Sequence, residues 1–309
     1  MSDDAALGWL GVPLAVVAGA IRVSTPFILV SLGECLTERS GRINLGLEGT
    51  LVLGAMTGYG VSYLSGSPWL GVLAAGTAGA LFGLLHGWLC SLRRVNDIAL
   101  GIALMLLGTG LAFFLGKALI QPTAPRLPTI PMGGWLGNEQ LASALAISPL
   151  FLLGLGLAPL LAWGLRSTRA GLRLRTVGES ADAARALGLS VDGWRIGATA
   201  CGGFLAGIGG SYMSLVYPGS WNEGLSSGQG LMAVALVIFA RWQPVRCVWA
   251  GLLFGGTSAL GPALQSVGVT GGYYLFNAAP YVLTLGIMIL TSSPHRTLAG
   301  MPLELTRIR

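Results

Sequence analysis

The run Ile98-Ala99-Leu100-Gly101-Ile102-Ala103-Leu104-Met105-Leu106-Leu107-Gly108-Thr109-Gly110-Leu111-Ala112-Phe113-Phe114-Leu115-Gly116 carries no charge between Asp97 and Lys117. Thr109 is its only polar side chain. As a helix it would cover about 30 Å, the thickness of a bilayer's hydrocarbon core. A helix on the surface of a soluble domain needs one polar face, and this run has none. The whole chain has the same character. Only 10% of its 309 residues are charged, against roughly 25% in soluble domains, and mean hydropathy is +0.72. That is too little charge to cover a globular surface, so disorder, collagen and nucleic-acid binding are excluded despite a net charge of +6.

Besides 97–119, apolar runs of spanning length fall near 20–37, 44–65, 69–92, 146–165, 196–216, 228–243, 247–266 and 273–292. The expectation is an all-α polytopic membrane protein, a bundle of about nine transmembrane helices (range 8–10), with 1–309 forming one transmembrane domain. Residues 8–20 either extend the first span or lie in the interface. Cytoplasmic loops carry the excess of Arg and Lys. On this map 15 of the 18 basic residues fall on one side, with Arg22, Lys117 and Arg126 left for the other. The N-terminus is therefore expected outside and the C-terminus in the cytoplasm. Met1-Ser2-Asp3-Asp4 has acids where a secretory signal has a basic region, so no cleaved signal peptide is expected.

Two loops stand out. Residues 121–145 hold Pro122, Pro125, Pro128 and Pro131, which resist helix, so an extended external loop is expected. Residues 166–195 are basic and cytoplasmic on this map. Within them Ser180 suits an N-cap, Asp182 suits the positive end of a helix, and Gly188 suits the residue after its end. One short cytoplasmic helix over 180–188 follows. Gly79, Gly83 and Gly87, with the pairs Gly54/Gly58, Gly203/Gly207 and Gly251/Gly255, form small ridges that let helix backbones approach.

Chemistry-bearing patterns are scarce. Lys117 is the only lysine, and Gly116-Lys117-Ala118 does not fit a phosphate-binding loop. This chain is expected to hold no cofactor or metal and no ATP. Cys35, Cys90, Cys201 and Cys247 read as small buried hydrophobes, and His86 as a packed or bonded core residue. Polar groups inside apolar spans are functional candidates. The densest set is Glu38-Arg39-Ser40-Gly41-Arg42-Ile43-Asn44-Leu45-Gly46-Leu47-Glu48-Gly49, where Asn44 and Glu48 share a helical face. Glu48 is either a pathway or gate residue, or the partner of Arg39 or Arg42 in a structural lock. Tyr212, Tyr217, Trp221, Asn222, Glu223 and Gln229 supply rings and amide edges suited to a planar polar solute, or else an interfacial aromatic belt. Asn277 is a lone further candidate.

Residues 38–49 closely resemble the ERxGxxNxGxEG signature of bacterial ATP-binding-cassette (ABC) importer permeases in the branched-chain amino acid/ribose permease superfamily. They are most similar to the branch that carries nucleosides and works with basic-membrane-protein-type lipoproteins. Ala20–Pro26, Gly171–Glu179 and Gly228-Gln229-Gly230 with Ala233–Leu236 resemble further segments of that branch, though Phe239-Ala240-Arg241 departs from its usual ending. The resemblance implies a non-catalytic permease in the bacterial inner membrane, importing nucleosides or related bases; a pentose or a branched-chain amino acid is the nearest alternative. It also implies a cytoplasmic ABC ATPase that binds ATP and Mg, a second, paralogous permease, and an external solute-binding lipoprotein or periplasmic protein. Arg175, Glu179, Asp182 and Arg185 would lie at the ATPase contact, with the 180–188 helix as the coupling helix. An ion-coupled secondary transporter would need further intramembrane acids, and Glu48 is the only good one.

Overall fold

The computed structural model describes residues 8–92, 95–131, 146–265, most of 278–289 and 300–307. Its helices are α1 (Gly8–Arg39), α2 (Leu47–Ser65), α3 (Pro68–Cys90), α4 (Asp97–Gly116), α5 (Pro149–Ser167), α6 (Arg169–Glu179), α7 (Ala181–Ala186), α8 (Val191–Leu215), α9 (Gln229–Phe239) and α10 (Pro244–Gln265). Residues 278–283 are also helical. The strands β1 (Ile130–Pro131) and β2 (Ala146–Ile147) pair antiparallel, and a 3₁₀ turn covers Leu303–Arg307.

Five helices among the described residues are long and apolar enough to cross a membrane: 12–39 of α1, α3, 97–119 including α4, α5 and α10. The fold is the all-α polytopic membrane bundle expected from composition. α2 and α8, of 19 and 25 residues, carry more small and polar side chains because they are packed inside the bundle. Neighbouring helices shield them where lipid would otherwise demand apolar groups. α8 is the axis, with α1, α2 and α3 against it and α10 beyond α1. The glycine ridges make this possible. A Cβ on Gly79 would run into the Gly203 carbonyl oxygen, so α3 and α8 touch backbone to backbone.

Of the two readings of residues 8–20, extension of the first span holds, since α1 begins at Gly8 and runs on with Pro13 and Pro26 inside it. The 166–195 segment holds two helices, not one. α7 has the expected cap, with Ser180 Oγ accepting from Ala183 N at 3.2 Å and Gly188 at φ 75°. α6 was missed. Thr168 caps it, and Gly171, Leu174, Val177 and Gly178 form its buried face. The run 228–243 yields only the 11 residues of α9, about 16 Å, too short to cross a bilayer alone. The chain reverses at Arg241 (φ 52°) and Trp242 (φ 55°). The described parts of 121–145 run extended along the bundle, where Tyr59 and Ser62 donate to the carbonyls of Pro122 and Pro125. Arg93, Arg94, loop residues 132–145, Asn277 and most of 273–292 lie outside the described residues.

The reversal yields a prediction. Left-handed backbone costs a residue with a side chain about 1 kcal/mol and costs glycine little. Arg241→Gly is expected to leave melting within about 1 kcal/mol of wild type, while Trp242→Gly costs roughly 3–5 kcal/mol, because Trp242 is 2% exposed and donates its indole N–H to Glu38. Equal losses in thermal unfolding would refute the assignment of the turn's stability to Trp242.

Candidate functional site

α9 begins inside the bundle without a cap of its own, because its N-cap is Gly228 and supplies no side chain. Unbonded N–H groups at a helix start cost free energy when buried. Glu48, in the first turn of α2, satisfies them. Its Oε1 accepts from Ser226 Oγ at 2.5 Å and Gly228 N at 2.9 Å, and its Oε2 accepts from Gly230 N at 2.6 Å. The N-termini of α2 and α9 thus share one carboxylate, where both helix dipoles favour negative charge. Glycine is required at 230, since a Cβ there would lie 2.5 Å from Glu48 Cα.

Neither expected lock partner takes Glu48. Arg42 pairs with Asp97 at 2.5 Å, and Arg39 donates to the Trp242 carbonyl at 2.8 Å. Asn44 is buried and shapes the turn into α2 by accepting from Gly46 N at 2.9 Å, while its own N–H donates to Glu34 at 2.8 Å. Sequence reasoning missed Glu34, which is fully buried in α1 one turn before Glu38. An acid inside an otherwise apolar run was the available signal. Gln229 stands beside the Glu48 junction with its amide oxygen buried and unbonded.

A second element of the site lies farther from α6 and α7. A cavity of about 480 Å³ is lined by Ile21, Arg22, Thr129, Pro131, Ala146, Ser148, Tyr212, Val216 and Tyr217. That volume is in the range of small-molecule sites. α1 supplies the cation, α8 Tyr212, the turn after α8 Tyr217, and the β1–β2 hairpin the rim. Tyr212 is about two helical turns along the bundle from Glu48, as fixed by Ser214 Oγ donating to the Ala55 carbonyl at 2.7 Å. A larger depression of about 750 Å³ between α5, α6 and α8 is lined by Leu160, Trp163, Leu174 and Trp194. It is largely apolar, and its two hydroxyls, Thr168 and Ser190, are taken up capping α6 and α8.

The aromatic group expected from sequence is divided. Tyr217 is exposed at the cavity, and Tyr212 borders it from the buried core. Trp221 is 2% exposed and donates Nε1–H to the Gly116 carbonyl at 2.8 Å, where its ring fills the space left by that glycine. Asn222 closes a local turn on Gly224 N at 3.1 Å, and Glu223 is exposed. At the other end, Asp182 and Arg185 form an exposed pair at 3.2 Å on α7, and Glu179 closes α6. Arg175 is the exception there, its Nε buried and without a hydrogen-bond partner. His86 holds the Ile43 carbonyl through Nε2 at 3.2 Å, as a bonded core residue. Of the cysteines, Cys35, Cys90 and Cys247 are buried and Cys201 is exposed.

The family profile described as branched-chain amino acid transport system / permease component matches residues 13–292. A provisionally named glucose ABC transporter permease of Haloferax volcanii is 34% identical over 255 residues, 80% of this chain and 77% of the relative. A nucleoside ABC transporter permease of Lactococcus lactis is 32% identical over 300 residues, 89% of this chain and 91% of the relative. A guanosine ABC transporter permease of Bacillus subtilis is 31% identical over 295 residues, 87% of this chain and 89% of the relative.

Proposed function

The chain belongs to the family of branched-chain amino acid transport system permease components, and from that premise we propose that it conducts nucleosides or related purine and pyrimidine solutes into the cell. The observation that carries the solute class is the cavity that Tyr212, Tyr217 and Arg22 line together with Thr129 and Ser148. Aromatic rings stack on a planar base, and hydroxyls and a guanidinium serve ribose and base edges. The full-length likeness to the nucleoside and guanosine permeases supports the same reading.

In this reading the hairpin end faces outward and receives solute from a binding lipoprotein or periplasmic protein. The solute then passes inward by Gln229 and the α2–α9 junction. α6 and α7 lie in the cytoplasm of a bacterial inner membrane, and α7 docks in a groove of an ABC ATPase, with Arg175, Glu179, Asp182 and Arg185 around the contact. ATP and Mg stay on that partner, and a paralogous second permease completes the pathway. Rocking of α7 on ATP binding would pass to α8 and alternate access to the cavity. The Haloferax relative supports a second solute, a hexose, which would also stack on tyrosine.

The test is uptake of labelled guanosine by the assembled importer with competition by adenosine, glucose and leucine. Competition by adenosine alone is expected; competition by glucose alone would move the reading to sugars. Tyr212→Ala or Tyr217→Ala is expected to raise KM about tenfold, the worth of one stacked base, with phenylalanine keeping most of the affinity. Unchanged KM in both alanine variants would remove the cavity from the pathway.

A further inference from the structure

The C-terminal segment carries no recognisable motif, yet it is held at several points. Gly300 (φ 96°) passes close to the Arg241 carbonyl. Pro302 is buried, and Leu305 joins the apolar cluster that contains Trp242 and Cys247. The turn Leu303–Arg307 then places Glu304 between three elements. Its Oε1 accepts from Ala181 N, the first residue of α7, at 3.1 Å. Its Oε2 accepts from Arg195 Nη2 of α8 at 3.0 Å, in an ion pair whose side chains are 9% and 12% exposed. Arg195 Nε in turn donates to the Ser40 carbonyl at 3.2 Å. A Cβ on Gly41 would lie 2.8 Å from that of Glu304.

We infer that Glu304 is a positioning residue that carries movement of α7 to α8 and to the α1–α2 loop, a role that rests on α7 being the ATPase contact. The covalent route from α7 to α8 is the short linker 187–190, which includes Gly188 in left-handed backbone. Its N–H groups bond back into α7, Gly188 N donating to the Arg185 carbonyl at 2.9 Å and Leu189 N to the Ala184 carbonyl at 3.0 Å, so the linker closes α7 without fixing it to α8. Ala181 and Ala184 pack against Val191, but apolar contact is non-directional and allows sliding. The bonds of Glu304 to Ala181 and Arg195 are directional and largely shielded from water, so they fix the start of α7 to the start of α8. Through Arg195 and Ser40 the same carboxylate reaches the loop that leads to Asn44 and Glu48. α7 is thereby tied to the junction at the head of α9.

The experiment is solute imported per ATP hydrolysed by the complete importer in liposomes, with Glu304 varied. Glu304→Ala is expected to lower that ratio about tenfold, a usual size for coupling between sites, while the complex still forms and hydrolyses ATP. Glu304→Gln keeps an amide oxygen for Ala181 N–H and loses the ion pair, so its ratio should fall between the two. It decides the matter if the alanine variant fails to assemble. Leu187→Cys, at a position 71% exposed beside α7, should cross-link to the ATPase in every variant. A wild-type ratio in Glu304→Ala or Glu304→Gln, with cross-linking intact, would overturn the role of Glu304 alone. Failure of the cross-link in the otherwise wild-type importer would instead overturn the docking of α7 beneath it.

Discussion

Glu48→Ala is expected to abolish uptake and to destabilise the permease by roughly 3–5 kcal/mol, because it leaves the buried Gly230 N–H, the partly buried Gly228 N–H and the Ser226 hydroxyl without an acceptor. Each lost charge-assisted bond contributes about 1.5–3 kcal/mol, and relaxation of α9 recovers part of the sum. Glu48 is 9% exposed, so water cannot replace the carboxylate cheaply. Glu48→Gln retains one amide oxygen but turns an NH₂ toward a backbone donor, and about half the loss is expected. Thermal unfolding in detergent reads the stability and vesicle uptake reads the function. Wild-type melting of the alanine variant would show that α9 does not depend on this cap. Normal melting with lost uptake would make Glu48 a gate rather than a joint.

The second large effect belongs to the α3–α8 contact. Gly79→Val should keep the protein from accumulating as a monodisperse species, at a cost of roughly 3 kcal/mol or more, at or above the top of the usual range for overpacking. The atoms a Cβ would meet are the Gly203 carbonyl and the Gly207 nitrogen, both backbone. No side chain there can swing aside, so the helices must separate. Lipid offers no hydrophobic force to close them again. Gly110→Val and Gly156→Val are the controls, since nothing lies within 4 Å of a Cβ at either position. Size-exclusion profiles of the three variants check the point, and an intact Gly79→Val peak would refute the close approach.

Much of this architecture is legible in local sequence. Hydropathy locates the runs that become α1, α3, α4, α5 and α10 because bilayer thickness sets their length. Ser180 and Gly188 bracket α7 because caps act within one turn. The small-residue ridges were readable because spacing by four repeats on one helix face. α6 was obscured by its arginines, although Gly171, Leu174 and Val177 recur at helical spacing.

The polar residues were legible as important but not in their roles. Of the two readings of Glu48, gate residue or lock partner of Arg39 or Arg42, the lock fails, because its partners come from residues 226–230. Trp221 was grouped with Tyr212 and Tyr217, and it instead closes on Gly116 of α4. Glu304 stands in no motif, and Ala181 and Arg195, to which it bonds, are more than a hundred residues away. Local sequence is enough for the membrane class, for five of the apolar spans and for the small helix at 181–186, because these depend on solvent and on interactions within a few residues. The tertiary structure alone decided which carboxylate caps which helix, where the tyrosines meet a cavity and what the tail holds together. A buried polar group takes the donor that packing brings to it, and no local pattern encodes that choice.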